Sequence, residues 1–392
     1  MLCNEDSMLK ESAASPSFSG ARPRTTLRNL QALRAFAALW VAVFHLSFLT
    51  VLLANVPVAR ELAALGYAGV DVFFVISGYI MALTTATLAS DATSVGNFLY
   101  KRFARIYSGW WPFFFLYLAY GALIGGIAPE TRLLASFFLW PTLLPHHLLP
   151  VAWTLSFELF FYGCTAAVLA WNRRRAWLAM ILWAGVVFFL NALWLAGGLF
   201  HPDNVADVTL AHWFFFYPLT LEFIAGFLLH ELLARRGPGR WVPWAAGTAF
   251  FAMLIAVYVR IGVFHPFGLA GLFHAPERAL LWGGLSVCLV AAVVRLEARG
   301  VRLAAWAEPL GDASYSIYLG HILLIQLFLR GRRHLPPFFS PGLEFAVVLT
   351  AGVLLLWLHH RLIERPLYDW SKGLFRALLM RRTMPPVSGV QP

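Results

Sequence analysis

Residues 30–53, LQALRAFAALWVAVFHLSFLTVLL, decide how this chain folds. A helix crosses a bilayer core with about 20 apolar residues, and this run exceeds that length. It also carries Arg34 and His45. Ionisable side chains inside such a span are costly to bury, so each is a functional candidate. At about 100° per residue the two sit close to three full turns apart, on one helix face and roughly 16 Å from each other along the axis. Arg34 lies near the start of the run, where a long side chain can snorkel to the surface, whereas His45 has no such escape.

Outward from this run the composition is that of a membrane protein. Of 392 residues, 60% are hydrophobic and 12% charged, too little polar surface to cover a soluble globule. Comparable apolar runs recur at 68–88, 108–128, 151–171, 176–198, 211–233, 242–262, 278–295, 312–329 and 343–363. The expected fold is therefore all-α, a polytopic membrane helix bundle of about ten transmembrane helices embedded in a lipid bilayer. The net charge of +11 does not point to nucleic acid, because the basic residues cluster between apolar runs as cytoplasmic retention signals do. With the amino terminus inside, the inner segments take Lys101, Arg102, Arg105, Arg173 to Arg175, Arg235, Arg236, Arg240, Arg295, Arg299 and Arg302. That places both termini in the cytoplasm of a multi-pass protein of the cell (inner) membrane, although Arg330, Arg332 and Arg333 fall on the other side.

Residues 1–28 hold Ser, Pro and Thr with little to bury and read as a disordered cytoplasmic tail. Residues 29–366 form the membrane domain, and 367–392 a basic cytoplasmic tail. The first apolar run begins too late and is too long for a cleavable signal peptide. Cys3, Cys164 and Cys288 have no paired spacing, so neither a disulfide framework nor a metal site is expected.

Depth along the spans groups the remaining polar residues. His45 lies roughly 22 Å from the inner surface, and Glu158, entering from outside in AWTLSFELFFY, lies roughly 20 Å from it. A carboxylate and an imidazole at one level invite pairing. Asp71 and Ser77 in GVDVFFVISGYIM descend through the same zone as pocket-wall candidates, with Gly66, Gly69 and Gly78 permitting close helix approach. Arg102 and Arg105 share a helix face near the inner end of the first span and, with Arg34, make a phosphate receptor; the plainer alternative for the pair is positive-inside anchoring. Glu222, Tyr315 and His321 complete the pocket candidates; a neutral acid between helices and a satisfied core imidazole are the bland alternatives for Glu222 and His321. Glu364 reads as a cap or an ion-pair partner.

Six motifs in order then resemble the acyltransferase family 3 of integral-membrane O-acyltransferases. They are Arg34 with His45 eleven residues later, GVDVFFVISGYIM, Arg102 with Arg105 before Tyr107, WTLSFELFFY, ASYSIYLGH and IERPL. The resemblance implies transfer of an acyl group, usually acetyl, from cytoplasmic acyl-CoA to a hydroxyl of a glycan or another acceptor. It implies a catalytic His45, Arg34 as its essential partner, and Arg102 with Arg105 as the CoA-binding pair. Glu158 is then expected to orient the imidazole, with Ser77 supplying a hydrogen bond. His45 acts either as a general base on the acceptor or as an acylated nucleophile. A small natural product is an alternative acceptor. From another class, a transporter or flippase also lines its path with buried Arg, His and Glu, but no inverted repeat is visible.

Overall fold

The apolar runs fold as helices because a chain in hydrocarbon must satisfy its amide and carbonyl groups within itself. The computed structural model describes residues 27–197, 210–235, 239–260, 276–334 and 339–383. Among them the long helices are α1 Arg28–Leu49, α2 Gly69–Thr85, α3 Ala92–Tyr120, α4 Trp153–Asn172, α5 Ala176–Ala196, α6 Thr220–Arg235, α7 Val242–Arg260, α8 Pro276–Glu297, α9 Ser314–Arg332, α10 Pro341–His359 and α11 Arg365–Thr383, and there is no strand.

A helix occupies each of the ten expected runs, yet fewer qualify as spans by length and apolarity. Arg28–Leu49, Pro57–Thr85, Pro150–Trp194, Arg278–Glu297 and Pro341–Phe375 do, and the bent pair Ala305–Asp312 and Ser314–Arg332 makes a sixth. Pro150–Trp194 holds two of the expected runs, α4 and α5, joined through a tight turn at Arg173–Arg175. The others fall short for physical reasons: the apolar half of α3 is diluted by Trp110, Trp111, Pro112, Tyr117 and Tyr120, and α6 is only 16 residues long. Among the described residues five or six candidate spans thus meet this criterion, and because one of them holds two runs they cover six or seven of the ten expected.

Helix α1 lacks a side-chain cap of its own, and its first two amides donate instead to the Glu297 carboxylate at the end of α8, at 2.6 and 3.0 Å. Such orphan donors carry partial positive charge, so a carboxylate suits them. The turn before α2 and the start of α2 lie flush on α1. A Cβ on Gly66 would stand 2.2 Å from the Trp40 carbonyl oxygen, and one on Gly69 2.4 Å from that of Ala37. Helices α2 and α6 touch reciprocally, since a Cβ on Gly78 would meet the Phe223 oxygen at 1.9 Å and one on Gly226 the Val75 oxygen at 2.0 Å. Small residues permit this approach, as the glycines of the second run suggested.

Two irregular segments position the site. Before α4, Leu149, Val151, Ala152 and Trp153 are all buried, and the Tyr318 hydroxyl of α9 donates to the Val151 carbonyl at 3.2 Å. Helix α4 therefore starts inside the bundle. After α10 the chain widens into a π turn at His360–Glu364, which carries Glu364 into the interior with no exposed surface. Helix α11 follows and docks on α3: Tyr100 donates to the Ser371 carbonyl at 2.6 Å and stacks on Phe375. Much of the expected basic tail is thus an ordered helix, while residues 1–26 and 384–392 lie outside the described residues.

Candidate active site

Five helices, α1, α2, α3, α4 and α9, enclose a cavity of about 210 Å³. Arg34 of α1, Ser77 of α2, Arg102 and Arg105 of α3, Glu158 and Tyr162 of α4, and Tyr315 and Tyr318 of α9 line it, among apolar side chains such as Phe73, Phe74, Ile80 and Phe161. The three arginines singled out from the sequence therefore share one space, although they come from two helices.

Their partners differ. Arg34 donates to Gln31 Oε1 at 3.1 Å, a neutral amide one turn back. Arg102 donates to Thr84 Oγ1 at 2.6 Å and lies over the rings of Phe98 and Tyr162. Arg105 is ion-paired with Glu364 at 2.5 Å. Glu364 in turn accepts from Ser316 Oγ at 2.6 Å and lies 3.0 Å from His360 Nδ1. Two guanidinium groups thus face the cavity hydrogen-bonded to neutral groups and in no salt bridge with a described residue, and the third is closed in one. Tyr315 backs Arg105, its ring 5.5 Å from the guanidinium carbon and its hydroxyl donating to the Ile106 carbonyl at 2.9 Å.

Glu158 stands in the cavity wall, where Ser77 Oγ donates to Oε1 at 3.1 Å and the Tyr162 hydroxyl to Oε2 at 3.2 Å. The expected pairing of Glu158 with His45 is not what the structure shows. The polar partners of His45 are the Val41 carbonyl, 3.0 Å from Nδ1, and His321, whose Nε2 is 3.1 Å from the same atom. His45 is half-buried and neither it nor His321 lines the cavity. A shared depth does not make neighbours: α4 turns Glu158 to Ser77 and Tyr162, while His45 faces His321 of α9.

Asp71 and Glu222, expected in the pocket wall, lie elsewhere. Asp71 accepts two hydrogen bonds from Arg278, Nε to Oδ1 at 2.9 Å and Nη2 to Oδ2 at 2.6 Å, both side chains being buried. Glu222 lies against Asp71, and no described donor hydrogen-bonds either of its carboxyl oxygens. Six residues separate Asp71 from Ser77, which at about 100° each puts them some 120° apart around α2, so only one of the two can face the cavity. Arg278 was overlooked in the sequence, though an arginine opening an apolar run opposite a buried aspartate was the available signal. Tyr162, Tyr318 and the His321 contact to His45 were also unforeseen as partners, because each depends on which helices adjoin. Among the described residues no group of three His, Cys, Asp or Glu side chains is placed to hold a metal ion.

Comparison with known proteins bears on what this site does. A family model described as an acyltransferase domain, Acyl_transf_3, matches residues 27–361. The exopolysaccharide production protein ExoZ of Rhizobium meliloti (strain 1021) is 35% identical over 320 residues, covering 77% of this chain and 90% of that protein. The acyltransferase MdmB of Streptomyces mycarofaciens is 28% identical, covering 76% and 79%. The putative membrane-bound transacylase BcsY of Komagataeibacter xylinus is 24% identical, covering 89% and 85%. No solved structure matches.

Proposed function

The chain belongs to acyltransferase family 3, and from that premise we propose that it moves an acetyl group from acyl-CoA to a hydroxyl of a surface polysaccharide or of its lipid-linked precursor. The observation that carries this reading is the placing of Arg34 and Arg102 in one cavity, each hydrogen-bonded to a neutral group and neither in a salt bridge with a described residue, although the Glu158 carboxylate stands in the same wall. Guanidinium forks bind phosphate oxygens by short charge-assisted hydrogen bonds, and CoA brings phosphates at one end of a long flexible arm. A space of about 210 Å³ is smaller than the roughly 300–1,000 Å³ of pockets that enclose a whole drug-sized ligand, so it holds part of the arm and leaves the nucleotide at the mouth, and the thioester must reach past the cavity wall to meet His45, which does not line it. The similarity to an exopolysaccharide production protein favours a polysaccharide acceptor.

His45 is the base in this reading. Its Nδ1 faces a carbonyl oxygen and therefore carries the proton, which leaves the Nε2 lone pair for chemistry. As the acceptor oxygen bonds to the thioester carbonyl carbon, Nε2 takes the hydroxyl proton. When the carbon–sulfur bond breaks, the same proton passes to the departing thiolate. Glu158, held by Ser77 and Tyr162, lines the path of the arm and does not act on the imidazole. The chain crosses the membrane about ten times with both termini in the cytoplasm, so that the arginines meet cytoplasmic acyl-CoA.

The test is His45→Ala in detergent-purified protein. Transfer from acetyl-CoA falls at least about 100-fold, the usual minimum contribution of a positioned base, while thermal stability stays near that of the parent. Wild-type turnover in a folded His45→Ala protein removes the assignment. Mass spectrometry of envelope polysaccharide from cells with and without the gene identifies the acceptor by the added acetyl mass.

A further inference from the structure

His45 and His321 meet outside the cavity lined by the arginines, and their contact has a specific geometry. Each ring points Nδ1 at the carbonyl oxygen four residues earlier on its own helix, His45 at Val41 (3.0 Å) and His321 at Ile317 (3.1 Å). An unprotonated Nδ1 would set two lone pairs against each other at that distance, so both rings carry the Nδ1 proton. It follows that His321 Nε2, 3.1 Å from His45 Nδ1, is a bare acceptor. The His45 Nδ1–H is therefore shared between a carbonyl oxygen and an imidazole nitrogen.

His321 is held firmly enough for this. It is 4% exposed, and its ring lies 6.0 Å from that of Tyr318, which is itself fixed by Thr154 and by the Val151 carbonyl. The two imidazole rings are 4.9 Å apart and tilted by 49°, a hydrogen-bonding arrangement and not a stack. No described residue hydrogen-bonds His45 Nε2, so the lone pair opposite the shared proton is the one left for the acceptor.

Resting on the reading of His45 as the base, we propose that His321 is a positioning residue for the reaction: its Nε2 accepts the His45 Nδ1–H, holds His45 in the tautomer that exposes Nε2, and stabilises the imidazolium formed when Nε2 takes the acceptor proton. The proton on Nδ1 stays there. Were it to pass to His321, the bare Nδ1 would face the Val41 oxygen. The role parallels that of the carboxylate in a catalytic triad, filled by a neutral acceptor that adds no second charge to the interior.

The test uses the full chain in detergent, radiolabelled acetyl-CoA as donor and envelope polysaccharide of the producing cell as acceptor, with rates normalised to folded protein. His321→Ala lowers kcat about 10- to 100-fold, the equivalent of one hydrogen bond to a charged group, and leaves KM for acetyl-CoA within about twofold. His321→Gln, whose side-chain oxygen can reach the position of Nε2, recovers most of the rate, while His321→Phe fills the space without an acceptor and stays as slow as Ala. A merely structural role gives the opposite order, Phe above Gln, and overturns the proposal even if the Ala variant fails to fold. If His45→Ala is inactive but His321→Ala keeps kcat within twofold, the role of His321 falls and the function stands. If both variants transfer at the wild-type rate, both readings fall.

Discussion

Helix α2 borders two neighbourhoods built from the same chemical groups in opposite states. On one face Ser77 meets Glu158 in a cavity where Arg34 and Arg102 are hydrogen-bonded to neutral groups. On another face Asp71 is closed against Arg278 by two hydrogen bonds, with Glu222 beside it. The sealed pair has spent its charge on itself, and what it gives is a fixed junction between α2 and α8. The open arginines face a cavity without a salt-bridge partner, which suits the binding role proposed for them. The contrast is between an arginine closed in a salt bridge and arginines that face a cavity without one.

The largest effect expected from this contrast is on the sealed side. Arg278→Ala leaves a buried carboxylate uncompensated and costs about 3–5 kcal/mol of stability, read as a lower melting temperature in detergent. The acyl-CoA affinity of the protein that remains folded is unchanged. A variant that melts normally but loses affinity would reverse the assignment of the two sites.

On the open side the order is inverted. Arg34→Ala and Arg102→Ala each weaken acyl-CoA binding by about 1.5–3 kcal/mol, the value of a hydrogen bond to a charged group, with little change in melting temperature. Calorimetric titration with CoA checks this, and unchanged affinity in both would move the phosphate site elsewhere. Arg105 belongs to both classes, since it lines the cavity yet is neutralised by Glu364. Arg105→Ala is expected to lower the melting temperature more than Arg34→Ala does and the CoA affinity less. The reverse ranking would mean that Glu364 yields its arginine to the ligand.

The smallest effect sharpens the comparison most. Replacing both members of the sealed pair by apolar residues of similar size, Asp71→Leu with Arg278→Met, removes the charges together and leaves stability within about 1 kcal/mol of the parent. A large loss of transfer in that stable double variant would show that the pair serves the chemistry after all.

Much of this was legible in residues 30–53 and the runs around them. Their apolar length dictated helices, and an arginine and a histidine eleven residues apart had to share a face. The Arg102 and Arg105 spacing likewise put two guanidinium groups on one side of α3. What failed was pairing. Glu158 was paired with His45 on depth alone, which says nothing of which faces adjoin, and Asp71 was grouped with Ser77 although the helical period turns them apart.

The sequence by itself determined the family and the all-helical class and singled out candidate side chains, because periodicity, apolar length and motif order are local properties of the chain. Only the tertiary structure decided who meets whom: His45 with His321, Glu158 with Ser77 and Tyr162, Asp71 with Arg278, and Arg105 with Glu364. Those pairings depend on where a buried turn starts α4, on a π turn after α10 and on glycines that let α2 and α6 touch, and no one-dimensional pattern specifies which of many helix faces will be neighbours.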